Sequence, residues 1–346
     1  MAWKGALLPK GIEARWHFAQ SRMTLSTTNR AVLTYRGFSD DLEMLLKNEA
    51  RTESKAGVLR RLIAEKTVAM PGAFNAPVAM MAERTGFEAV YISGAGLVNG
   101  TAGYPDVGLL GMDEMARAAG YIANAVKIPC ICDADTGFGE TWQVMRTVRA
   151  YEREGLAGLH LEDQVMPKRC GHLDGKSLIT TEEMERKIAA ACEARQDPDF
   201  MIIARCDARE VESFERSVER GQRYLAAGAD AIFVEAMHSP DEFARYAEQV
   251  KGPLLANMTE FGKSPHLTVD ELAGMGYSMV IFPMSAFRAM MKAVEGLFRE
   301  LKEKGTLEGA LSRMQTRQEL YELLDYEAYT QLDADLAARF PEKDAE

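Results

Sequence analysis

From about residue 55 onward, short apolar and β-branched runs alternate with longer amphipathic stretches, and this alternation limits the fold more than any other feature of the chain. Parallel strands need a crossover between neighbours, usually a helix, and are covered on both faces, so they read as continuous apolar runs separated by helical patterns. Strands are expected at Thr67–Met70, Ala89–Ser93, Pro129–Asp135, Gly158–Glu162, Phe200–Arg205, Ala231–Glu235, Pro253–Asn257 and Met279–Phe282. Eight such units predict an α/β chain folded as a (β/α)8 TIM-type barrel. The competing doubly wound sheet would show a Gly-x-Gly-x-x-Gly turn after an early strand, and none occurs. The expected division is an N-terminal extension over 1–54, partly ordered or helical, a barrel over 55–305 and a C-terminal helical tail over 306–346.

A chain of 346 residues is within the range of one such barrel, and 47% hydrophobic with 27% charged residues excludes disordered and fibrous classes. The formal net charge of −11 and the lack of a basic stripe argue against a nucleic-acid partner, which would need clustered Lys and Arg to neutralise phosphates. No run reaches the ~18 apolar residues of a membrane span. Small molecules are the expected partners. Five scattered cysteines, an odd number, argue against a disulfide framework and for a reducing compartment, so a cytoplasmic location is expected. Cys130 and Cys132 are expected as buried small hydrophobes on opposite faces of one strand. Residues 1–36 carry six basic residues against Glu13 alone, a composition weakly like a transit peptide, which would imply the mitochondrial matrix. A poorly ordered extension, or a start further in such as Met23, competes with that reading.

In a barrel the carboxyl ends of all strands meet on one face, where active sites form. Polar residues end most of the expected strands: Ser93-Gly94, Asp133 with Asp135, Glu162, Arg205, Glu235 and Asn257. Any one could simply mark the point where the chain reaches water, but six on one rim imply a shared cavity. Asp133 and Asp135, two apart on a strand, share a face and can address one ion. With few His or Cys nearby, the expected cation is Mg2+, with Mn2+ as its substitute, rather than zinc. The Gly-rich run from Ser93 to Gly100 offers backbone N–H groups to an anion but lacks the Gly-Lys-Ser/Thr of a P-loop, leaving carboxylate and phosphate both open. Lys168-Arg169-Cys170-Gly171-His172 then crowds one thiol among three potential cations, an arrangement expected to favour the thiolate.

These motifs, together with Gly158-Leu159-His160-Leu161-Glu162-Asp163-Gln164, Asn257-Met258-Thr259-Glu260-Phe261-Gly262, Pro283-Met284-Ser285-Ala286-Phe287-Arg288 and Met314-Gln315-Thr316-Arg317, resemble the isocitrate lyase and phosphoenolpyruvate mutase superfamily. Within it the likeness is greatest to the methylisocitrate lyases, since the Cys-Gly-His loop belongs to the lyase branch. The resemblance runs from about Arg60 to Leu336. It implies a Mg2+-dependent retro-Claisen cleavage of a tricarboxylic acid, (2R,3S)-2-methylisocitrate, to pyruvate and succinate. By this likeness Asp133 and Asp135 hold the metal, directly or through water, with Glu162 in its outer shell and His160 in support. Ser93, Gly94 and Ala95, with Asp106 nearby, would bind the pyruvyl carboxylate, and Arg205 would neutralise it. Cys170 would protonate the succinate carbanion, with Lys168, Arg169 and His172 tuning it and Gly171 lining the site. Glu235 would assist removal of the hydroxyl proton, and Asn257 and Thr259 would bind a succinyl carboxylate.

Phe233 and Ile281 are expected to shape the pocket around the extra methyl group, the isocitrate lyases having a bulkier tryptophan at the first of these positions. Leu173-Asp174-Gly175-Lys176 and Cys206 depart from the usual methylisocitrate lyase pattern, which leaves isocitrate or 2,3-dimethylmalate as alternative substrates and a phosphonate chemistry as a more distant one. The resemblance further implies a homotetramer in which C-terminal helices, drawn from the tail at 286–340, are exchanged between subunits.

Overall fold

The structure is a computed structural model that describes residues 53–173 and 175–339. The transit-peptide-like segment, Asp174 and the end of the C-terminal tail, 340–346, lie outside the described residues. Eight parallel strands close into a barrel in chain order: β1 (Val68–Ala73), β2 (Val90–Ile92), β3 (Cys130–Asp133), β4 (Gly158–Glu162), β5 (Met201–Cys206), β6 (Ala231–Val234), β7 (Leu254–Asn257) and β8 (Met279–Phe282), with β8 pairing back onto β1. The helices around it are α1 (Lys55–Glu65), α2 (Ala76–Thr85), α3 (Gly94–Leu97), α4 (Met112–Ala123), α5 (Thr141–Arg153), α6 (Thr181–Ala194), α7 (Ala208–Val211), α8 (Phe214–Ala226), α9 (Pro240–Gln249), α10 (Val269–Met275) and α11 (Ser285–Lys304). After α11 come a 3-10 turn (Glu308–Arg313), α12 (Arg317–Leu323) and α13 (Tyr326–Arg339).

Strands β2 to β7 are buried along their whole length, which is why their sequences are apolar runs rather than alternations. Alternate residues instead feed two separate cores. Ile92, Cys130, Cys132, Leu159, Ile202 and Val234 face outward into the layer shared with the helices, while Met70, Tyr91, Ile131, Ile203, Phe233, Leu255 and Ile281 fill the barrel interior. The cysteine expectation is corrected here: residues two apart on a strand share a face, so Cys130 and Cys132 both point outward. Helix α1 seals the amino-terminal mouth, adding Ala56, Leu59 and Leu62 to the interior core while Arg60 pairs with Asp230 just before β6. That closure leaves the carboxyl mouth for chemistry.

Most strand boundaries move by a residue or more relative to the sequence expectation, and three of the shifts bear on the mouth. β1 continues past Met70 to Ala73. β3 ends at Asp133, because Asp135 adopts the left-handed backbone (φ 46°), and β6 ends at Val234, so Glu235 is the first residue beyond its strand. Helix α11 runs for 20 residues without burying one of them, leaving Met291, Phe298 and Leu301 exposed.

Candidate active site

The period of two that packs the interior also builds the site. On five strands an inward apolar residue is followed two positions later by a polar one facing the same way: Tyr91 by Ser93, Ile131 by Asp133, Ile203 by Arg205, Phe233 by Glu235 and Leu255 by Asn257. His160 and Glu162 do the same on β4. The rim residues expected from the sequence therefore converge on one mouth, and most are buried.

Asp133, Asp135 and Glu162 form its acidic side. Asp133 Oδ1 accepts the Asp135 N–H at 2.9 Å and lies 3.7 Å from His160 Nε2, which is 2.8 Å from the Tyr91 hydroxyl. Burial pushes His160 down to about 4, so the ring is neutral at pH 7. Burial would raise Asp133, but the charges of Lys168 and Arg205 and the hydrogen bond from the Asp135 N–H outweigh it and hold the carboxyl below its ordinary range. Asp135 is pushed up to about 6, chiefly by burial, despite Lys168 Nζ at 2.7 Å. Glu162 is raised further by the same cause. Both its oxygens are buried without a hydrogen-bond donor, the Arg205 guanidinium standing off at 3.3 Å. Helix α3 packs its first residue against this group: a Cβ on Gly94 would lie 2.5 Å from Asp133 Oδ2. Ser93 caps α3, accepting the Gly96 N–H at 3.2 Å, and Ala95 is half-buried in its first turn.

The basic side does not surround the thiol. Lys168 reaches across the mouth to Asp106 and Asp135, and these carboxylates, with Glu162 and Asp133, raise its ammonium well above its ordinary range although burial opposes them. His172 Nδ1 accepts the Lys263 N–H at 3.0 Å, so the proton of the neutral ring sits on Nε2, which donates to Glu235 Oε1 at 2.8 Å. Arg169 ties the loop down through its backbone, its N–H and carbonyl both bonded to the Gln164 side chain. The thiolate expectation is thus overturned: burial, only partly offset by the His172 backbone and Arg205, pushes the Cys170 thiol up, and it stays protonated at neutral pH. The loop nonetheless lies over the mouth, since a Cβ on Gly171 would meet Glu235 Cγ at 2.5 Å.

Arg205 is held by three carboxylates: Asp207 through two bonds of 3.0 and 3.2 Å, Glu162 at 3.3 Å and Glu235 at 3.6 Å. Glu235 is kept well below the carboxylate range, the Arg205 and His172 contacts outweighing its burial. Asn257 donates to Glu235 at 3.3 Å and accepts the Thr259 N–H at 3.0 Å, while Thr259 Oγ1 accepts from Arg288 at 3.3 Å. Among the described residues no group of three or more His, Cys, Asp or Glu stands in ready metal-binding geometry.

Residues 59–302 match the profile of the family described as phosphoenolpyruvate phosphomutase. The chain belongs to the phosphoenolpyruvate phosphomutase family. A 2-methylisocitrate lyase of Aeropyrum pernix is 51% identical over 286 residues, 82% of this chain and 92% of that protein. Among solved structures, a 2,3-dimethylmalate lyase of the phosphoenolpyruvate mutase and isocitrate lyase superfamily superposes with a TM-score of 0.78 at 34% identity, covering 85% of this chain and all of that one. A phosphonopyruvate hydrolase in complex with oxalate and Mg++ superposes at 0.74 and 32% identity, covering 84% of this chain and all of that one.

In this phosphoenolpyruvate phosphomutase family chain, Phe233 and Ile281 lie in the interior core immediately beneath the mouth. The Phe233 ring meets the edge of His160 at 5.2 Å and carries the Arg205 guanidinium at 5.2 Å. Sequence reasoning missed Asp207, which is fully buried and takes both Arg205 and Lys176. It stands two residues after Arg205, so the strand-end rule that found Arg205 could have found it had it been carried past the last strand residue.

Proposed function

We propose that this chain is a carbon–carbon lyase that cleaves 2-methylisocitrate to pyruvate and succinate, the step such a lyase contributes to propionate breakdown. The observation that carries the reading is the Cys170 loop lying over the same mouth as Asp133, Asp135 and Glu162 in a chain 51% identical to a 2-methylisocitrate lyase. The donor set suits Mg2+, with Mn2+ as a substitute: it is all carboxylate oxygen, and the two orphaned oxygens of Glu162 are buried acceptors that a hard cation would satisfy. Asp133 and Asp135 would hold the ion, with Glu162 behind them. Bound there, it would stabilise negative charge on the oxygen of the forming 2-oxo acid.

The protein's own groups account for the rest. Ser93, Gly94 and Ala95 hold the pyruvyl carboxylate, with Asp106 beside them. As the hydroxyl loses its proton and the carbon–carbon bond breaks, the electron pair passes to the succinyl carbon. Cys170 gives that carbon its proton, a task for which a thiol kept protonated by burial is better suited than a thiolate. Arg205 neutralises the pyruvyl end, Asn257 and Thr259 take the succinyl end, and Lys168, Arg169, Gly171 and His172 form the cover that excludes water. Glu235, fixed by His172 and Arg205, is the carboxylate that accepts the hydroxyl proton, so the proton lost from the hydroxyl ends on its oxygen. Phe233 and Ile281 form the floor on which the substrate methyl rests.

The assembly is a homotetramer in which α11 and the helices after it pack on neighbouring subunits, since among the described residues Met291, Phe298 and Leu301 of α11 stay exposed. Light scattering at a mass of four chains supports this, and a monomer contradicts it. The activity is tested by offering 2-methylisocitrate, isocitrate and 2,3-dimethylmalate with Mg2+ and measuring pyruvate and glyoxylate. Pyruvate from the methylated tricarboxylate alone supports the reading, whereas turnover of only one of the other acids replaces it with the corresponding lyase.

A further inference from the structure

Lys176 lies outside the reaction chemistry, yet it is one of three buried lysines among the described residues, its side chain 1% exposed. Its ammonium bonds to the Gly171 carbonyl and, at 3.0 Å, to Asp207 Oδ1. Gly171 is the residue after Cys170, so this bond grips the cysteine loop by its backbone. Asp207 is itself fixed from below. Its N–H donates to Asp163 Oδ1 at 2.9 Å, and Asp163 Oδ2 accepts from the Tyr224 hydroxyl at 2.8 Å and faces Arg220 at 3.3 Å. Arg220 is anchored in turn to Glu212. One fully buried carboxylate therefore receives the guanidinium at the floor of the site and the ammonium that holds its cover.

We propose that Lys176 and Asp207 are positioning residues that latch the Cys170 loop over the barrel mouth and set it in register with Arg205. The inference rests on the reading of Cys170 as the proton donor. Removing the ammonium leaves the Gly171 carbonyl without its charged donor and Asp207 with Arg205 alone, so the loop loses the only buried side chain of its own segment that joins it to β5 among the described residues. A bond to a charged group in such surroundings is worth enough to shift a local opening equilibrium by about tenfold or more.

The test is the rate at which iodoacetamide alkylates Cys170 in the ligand-free full-length protein, read by peptide mass mapping so that half-buried Cys192 is scored separately. Lys176→Met and Asp207→Asn should each speed alkylation of Cys170 by about tenfold or more while leaving Cys192 unchanged. Lys176→Arg, which keeps a charged donor, should restore most of the protection. Unchanged Cys170 alkylation in folded Lys176→Met overturns the latch, and so does equal acceleration at Cys192, which would report general loosening. This readout uses no substrate, so its failure is distinct from failure of the lyase reading. With 2-methylisocitrate, the latch is further supported if Lys176→Met lowers kcat more than it raises KM and Lys176→Arg recovers kcat. A change confined to KM contradicts it.

Discussion

Gly94→Ala should disable the site while leaving the barrel intact. Gly94 opens α3 in helical backbone, so alanine costs nothing in conformation there. What it costs is space: the new methyl would stand 2.5 Å from Asp133 Oδ2 and 2.8 Å from its Cγ. Restoring ordinary van der Waals separation requires the carboxylate to retreat by about 1 Å. Asp133 has little freedom to do so, being held by the Asp135 N–H at 2.9 Å with His160 beside it. Overpacking of this kind costs about 1–3 kcal/mol of stability, and a misplacement near 1 Å in a catalytic arrangement costs about 100-fold in rate. A coupled pyruvate assay with saturating Mg2+ should therefore show kcat/KM lowered by about two orders of magnitude, with a cooperative urea transition retained. Gly274→Ala in α10, whose methyl would meet nothing within 4 Å, serves as the control and should match the parent protein. Activity of Gly94→Ala within about threefold of the parent would refute the claim that close approach of α3 fixes the Asp133 carboxylate.

Three further outcomes are expected. The Asp163 carboxyl is pushed up to about 6 by burial, with Asp207 adding to it, from an ordinary 3.8. The folded state thus holds that proton more tightly than the unfolded chain, and the resulting stability, about 3 kcal/mol, is complete below the unfolded value and lost as pH rises through 6. Asp163→Asn should flatten the fall in urea midpoint over this window, and identical slopes would exclude Asp163 as its source. Phe233→Trp should shift preference from the methylated toward the unmethylated tricarboxylate by about 1–3 kcal/mol, measured as a ratio of kcat/KM values, and an unchanged ratio would place Phe233 in the core alone. Removing divalent cations with a chelator should abolish pyruvate formation, with recovery on adding Mg2+ or Mn2+, and full activity in the chelator would remove the metal from the account.

The barrel was legible because burial on both faces wrote each parallel strand as an apolar run, and β4 and β8 were placed to the residue. The rim was legible for a related reason: inward positions two apart carry Phe233 to Glu235 and Leu255 to Asn257 without any knowledge of the fold's closure. What the sequence could not show is pairing across the mouth. Lys168 sits two residues from Cys170, yet its ammonium goes to Asp106 and Asp135, 62 and 33 positions away in the chain, and the thiol is left to the effect of burial. Nearness along a loop says little about which carboxylate wins a lysine. Asp207 was missed because its importance lies in joining Arg205 to Lys176, a relation that exists only once β5 and the cysteine loop are brought together.

The central claim is that Cys170, held as a protonated thiol over the acidic group, delivers the proton that completes cleavage. Its most direct test is turnover of 2-methylisocitrate by Cys170→Ser with Mg2+ present, compared with the parent protein under the same conditions. The account expects pyruvate formation slowed by about 100-fold or more with folding intact, because a serine hydroxyl is a far weaker acid than a thiol. A serine variant that releases pyruvate at the parent rate would contradict it.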